Sequence, residues 1–164
     1  MHKLWIGFLA AASAVCFWML AKTGTDAAKL LPARVLVIEE RDGAVRVSSD
    51  NGAAGSGETL AAALKQMEQS AEGALFLDTA EHIVLLRPSQ VLLEQAVTQS
   101  SFRPAAKLYV TRAEALDASA LVELLRAHPG KLTLSQAHAA LLRGEPLRPA
   151  VLKLSEEGGV MLGK

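Results

Sequence analysis

Three glycines, Gly52, Gly55 and Gly57, stand just ahead of a stretch with helical periodicity, where free backbone amides could attract an anion. Their spacing fits neither G-x-G-x-x-G nor G-x-x-x-x-G-K-[ST], and no lysine follows Gly57 directly. The segment therefore reads as a flexible connection. Ser56 lies between two of these glycines, but a hydrolase elbow needs glycines two residues to either side, where Ala54 and Glu58 stand. Of the histidines, His2, His82, His128 and His138, none lies three to five residues from another, so no local pair of the zinc-binding kind exists. Glu39, Glu40 and Asp42 crowd one hairpin end, where solvated turn residues are expected. No catalytic, cofactor-binding or metal-ligating residue is expected, and the chain reads as no enzyme.

The elements that must carry these residues follow from periodicity and turn signals. Arg34–Glu39 is rich in β-branched residues, Asp42-Gly43 is a hairpin turn signal, and Ala44–Ser48 alternates as a returning strand. Ser49–Gly57 reads as a glycine-rich loop. After it, Leu60, Ala61, Leu64 and Met67 recur at helical spacing, with Glu58 in the first turn. Gly73 stops that helix. Leu75–Leu77 and His82–Leu86 read as strands, and Pro88-Ser89 opens a helix with Val91, Leu92 and Val97 inward. Leu108–Val110 is a further strand. Leu121, Leu124 and Leu125 mark a helix ended by Pro129-Gly130, and Ser135–Leu142 a helix that Ser135 can cap. Ala150–Leu154, Glu156–Gly159 and Val160–Leu162 form a closing hairpin. Two hairpins among interleaved helices predict an α+β fold, a mixed sheet with packed helices. The leucines at 121, 124 and 125 and at 141 and 142 form faces for core packing, with docking as the alternative.

The N-terminus decides the compartment. Leu4–Ala21 carries no charge over about 18 residues, the lower edge of a transmembrane helix and long for a signal-peptide core. Residues 1–22 read as a membrane anchor or signal segment, 23–31 as a tether, and 32–164 as one extracytoplasmic αβ domain. Lys3 favours an N-in orientation. Cys16, the only cysteine, is a candidate for lipidation if Ser13-Ala14-Val15 serves as the recognition segment. Val15 is bulky for that role and Phe17–Leu20 continues the apolar run, so a membrane-buried thiol is the preferred reading.

Composition narrows the partners. Seventeen basic and seventeen acidic side chains cancel, so no long-range field selects nucleic acid. At 4% aromatic residues, the core must be aliphatic and no stacking platform for bases or sugars exists.

Two stretches carry a family resemblance. GSGETLAAALKQMEQ (Gly55–Gln69) followed by LFLDTAEHIVLL (Leu75–Leu86), and TLSQAHAALLRGEPLRPAVLKLSEEGGVMLG (Thr133–Gly163) with Pro149, resemble in order the N-terminal half of the Ger(x)C family. These are the C subunits of spore germinant receptors. Asp78, Thr79 and Glu81 depart from the family pattern, Cys16 lacks its lipobox, and family members are about twice as long. The resemblance implies a membrane-anchored, non-enzymatic role in spore germination at the spore inner membrane. It also implies integral-membrane A and B receptor subunits as partners, and it supplies no cofactor and no catalytic residue. The alternative is a single-pass envelope or secretion-complex assembly protein.

Overall fold

A computed structural model describes residues 30–154 and 160–163. The expected anchor over 1–22 with Cys16, tether residues 23–29 and the turn at 156–159 lie outside the described residues. Among the described residues no helix is long and apolar enough to cross a membrane. Leu31–Lys164 forms a compact unit.

Among the described residues the architecture is α+β, a mixed sheet with four helices. The strands are β1 (Leu30–Pro32), β2 (Val35–Arg41), β3 (Ala44–Ser49), β4 (Ala54–Gly57), β5 (Ala74–Phe76), β6 (His82–Leu86), β7 (Lys107–Thr111), β8 (Ala150–Leu154) and β9 (Val160–Gly163). The helices are α1 (Leu60–Ser70), α2 (Gln90–Thr98), α3 (Ala118–Ala127) and α4 (Leu134–Leu142). Seven strands form the main sheet in the order β4-β3-β2-β6-β7-β8-β9, and β1 pairs with β5 in a small separate ribbon. Leu30 and Leu31, expected in the tether, thus belong to a strand.

The middle of the sheet is parallel, with β2, β6, β7 and β8 side by side, and both flanks are antiparallel. Strand β6 explains why the centre can be parallel. Its residues His82, Ile83, Val84, Leu85 and Leu86 are all buried, the near-continuous apolar run of a strand covered on both faces. One face packs Leu36, Ile38, Ile83, Leu85 and Leu108 against Leu60 and Met67 of α1, Leu92 of α2 and Leu134 of α4. The other packs Val35, Val37, Val84, Leu86 and Tyr109 against Leu121 and Leu125 of α3. Each such aliphatic side chain contributes about 1.5–3 kcal/mol by leaving water.

The hairpin β2–β3 forms as expected: Arg41 pairs with Ala44 across Asp42 and Gly43, whose φ of 55° and 76° suit the tight turn of a two-residue connection. The closing pair β8–β9 is antiparallel, as expected.

Only residues 50–53 of the expected loop Ser49–Gly57 form a turn; both ends are strand. Ser49 ends β3, and Ala54–Gly57 is an edge strand on β3 with Val47 opposite Gly55 and Val45 opposite Gly57. The physical reason lies in α1. A Cβ on Gly55 would come within 2.3 Å of the Ala63 carbonyl oxygen, and one on Gly57 within 2.7 Å of the Ala63 amide nitrogen. The glycines exist so that helix backbone can lie directly on strand backbone. Gln66 of α1 accepts a hydrogen bond from the Ser56 amide, and the Ser70 hydroxyl donates to the Ala54 carbonyl at 3.0 Å. Those contacts occupy two outer backbone groups of β4, one way to blunt an edge strand.

Other expectations shift by a residue or two. Thr59, not Glu58, opens α1: its hydroxyl accepts from Ala62, so Glu58 lies before the helix, and Ala63 rather than Ala61 points inward. Ser89 caps α2, where Leu92 and Val97 are buried but Val91 is 62% exposed. The cap of α4 is Thr133 rather than Ser135, in a reciprocal box with Gln136.

Candidate functional site

The residues singled out by sequence end in different places. Ser56 is exposed and its hydroxyl is bonded to Gln66 at 3.2 Å, with no histidine among its hydrogen-bond partners. Amides of the glycine segment are engaged within the protein: that of Gly52 donates to the Ser49 carbonyl at 3.1 Å, that of Ala53 to Asn51 Oδ1 at 3.0 Å and that of Ser56 to Gln66, while Asp50 and Asn51 tie the turn to Pro32, Arg34 and Val35. Leu121 and Leu125 are core residues, so the docking alternative fails for them; Leu142 is 77% exposed. His128 and His138 are exposed. Among the described residues no group of three metal-capable side chains gathers.

Open parallel sheets usually bind ligands beyond the carboxyl ends of their strands. Here that end holds Glu39, Glu40, Arg41, Arg87 and Glu114 around a cleft of about 190 Å³. Its charges are largely spent on one another. The Arg87 guanidinium donates to Glu114 and to the Arg112 carbonyl, both at 3.0 Å, and Arg46 lies 3.8 Å from Glu39. Arg87 holds a left-handed φ of 43°, and its amide donates to the Thr111 carbonyl at 2.8 Å, so the turn after β6 is clamped to the turn after β7.

The amino ends of the strands are different. There Arg34, Glu81, His82, Val122 and Arg126 line a cleft of about 250 Å³. The parallel register sets His82 beside Val35 on one side and Lys107 on the other, so all three occupy the sheet face covered by α3. Arg34 enters from the segment before β2, Glu81 from the residue before β6, and Val122 and Arg126 from α3.

His82 is 6% exposed, and its Nδ1 lies 3.0 Å from the Tyr109 hydroxyl. The Gly130 amide donates to that same oxygen at 2.8 Å. An amide can only donate, so the phenol uses a lone pair there and its own hydrogen is free to point at His82 Nδ1. That assignment leaves the imidazole proton on Nε2. Nε2 lies 3.9 Å from the Glu81 carboxylate, on the side of the cleft. Burial lowers the His82 pKa below its ordinary value; Glu81 opposes the shift and Lys107 adds to it. Burial also raises the Tyr109 pKa, partly offset by the Gly130 hydrogen bond. Both groups are therefore neutral near pH 7, and the pair forms a fixed relay from Gly130 through Tyr109 to His82. A Cβ at 130 would sit 3.0 Å from the Tyr109 ring, which is why a glycine delivers this amide.

No local sequence pattern marks this constellation. His82, Tyr109 and Gly130 are 27 and 21 residues apart, and only the parallel register and the turn after α3 bring them together. No protein-family model, curated protein or solved structure matches the chain.

Proposed function

We propose that the chain is a non-enzymatic interaction protein, held at a membrane by its N-terminal segment, whose folded domain works by contact with integral-membrane partners. The ordered resemblance over Gly55–Leu86 and Thr133–Gly163 makes those partners receptor subunits of the A and B type in spore germination. The uncharged run Leu4–Ala21 supports the membrane tether.

The observation that carries the reading in the domain is an uncovered apolar margin. Val110, Val151, Lys153 and Met161 share one sheet face by register, and Val151 is 40% and Met161 58% exposed. A broad groove there is lined by Pro88, Val110, Ala113 and Val151 together with the charged Arg87, Arg112 and Lys153. Contiguous exposed apolar side chains rimmed by charge are typical of contact surfaces.

The test is a clean deletion strain in which nutrient-triggered release of spore-core contents and total spore yield are measured together. The same strain is then complemented with the Val151→Glu, Met161→Glu chain. Slowed release at normal yield, unrescued by the double variant, is the expected result. Normal release with reduced yield moves the protein to spore assembly. No change in either, or a host that forms no spores, leaves assembly of another envelope complex as the better account.

A further inference from the structure

The cleft at the amino ends of β2 and β6 lies away from the apolar margin and has its own chemistry. Three of the five residues that line it, Arg34, Arg126 and His82, carry groups that donate hydrogen bonds, two guanidiniums and the Nε2–H. Lys107 adds a further positive charge close to His82. Of the anionic groups in reach, Asp50 is bonded to two backbone amides, Glu123 is an exposed neighbour 3.9 Å from Arg126, and one carboxylate, Glu81, lines the cleft itself, 3.9 Å from His82 Nε2.

We infer that this cleft is a binding site for a carboxylate, clamped by Arg34 and Arg126 and oriented by the His82 Nε2–H. The planar fork of an arginine matches a carboxylate in two parallel hydrogen bonds, and two arginines are among the lining residues. At about 250 Å³ the cleft admits a small acid or the end of a peptide but nothing of drug size. The relay from Gly130 through Tyr109 holds the imidazole in the donating tautomer, so this one donor is in place before the ligand arrives. Arg34 and Arg126 are exposed, so the fold does not depend on them. Free small acids and peptide C-termini present the same group.

The experiment follows the imidazole proton and nitrogen resonances of His82 in the full-length protein during titration at fixed chloride. The probes are sodium acetate, a tripeptide with a free C-terminus, and the same tripeptide amidated. A saturable shift with acetate or the free-acid peptide, absent for the amide, is expected. The Arg34→Ala, Arg126→Ala double variant is expected to weaken it about tenfold or more with thermal unfolding unchanged. Equal response to acetate and peptide identifies a site for free acids; a peptide preference of about tenfold identifies a C-terminus reader. A response equally strong with the amide, one untouched by the double variant, or no saturable response overturns the assignment.

Discussion

His82 Nδ1 lies 3.0 Å from the Tyr109 hydroxyl across neighbouring parallel strands, both residues buried, with the Gly130 amide closing the chain of hydrogen bonds. Removing the phenol oxygen strands a buried amide and a buried ring nitrogen at once. Tyr109→Phe is expected to destabilise the domain by about 2–4 kcal/mol, more than a single net hydrogen bond, because unmade bonds cost the full desolvation of each group. Urea unfolding at neutral pH, read at constant slope, measures it.

The depressed pKa of His82 ties stability to acidity. Below the ordinary histidine value of about 6.5 the unfolded chain takes up a proton at this position while the folded chain does not. Stability is therefore expected to fall as pH drops from about 6.5 toward the folded-state value, and this group contributes no slope above that window. Thermal unfolding between pH 5 and 8 in wild type and His82→Gln checks the sign: the variant should have a shallower slope over the acidic part.

Gly55 is the tightest point between α1 and β4. Gly55→Ala is expected to cost about 3 kcal/mol, because the added methyl meets helix backbone rather than a movable side chain. Gly52→Ala should act differently: nothing lies within 4 Å of its Cβ direction, and the penalty is confined to a φ of 86°. Calorimetry of the two variants separates crowding from backbone strain, with Gly55→Ala expected to show the larger drop in Tm.

Thr133 and Gln136 satisfy one another's backbone amides at the start of α4. Thr133→Ala is expected to lower stability by about 1 kcal/mol, and Ser135→Ala by less, since Ser135 does not cap the helix. Chemical denaturation of both variants tests which residue opens it.

Much of the fold was legible because local signals and tertiary demands agreed. Asp42-Gly43 between alternating runs marked β2–β3, and the apolar run at 82–86 marked β6. Strand β4 was hidden because Ala-Gly-Ser-Gly has little strand propensity, and its conformation is dictated by a helix resting on it. The Thr133–Gln136 box was present in the sequence as T-x-x-Q and was readable without coordinates. The amino-end cleft was not, because it joins residues 34, 82 and 126 through a parallel sheet whose register no local pattern encodes.

The contacts of Gln66 and Ser70 with β4 reach beyond that strand. Among the described strands, β9 pairs with β8 alone, so hydrogen-bonded extension of the main sheet has one open border while the opposite one is closed by α1. A bare strand added there presents a new edge of its own, whereas two copies of this domain meeting border to border leave no further place to add. Growth by this route is self-limiting at a pair, which separates a domain that can recruit one neighbour from one that would polymerise.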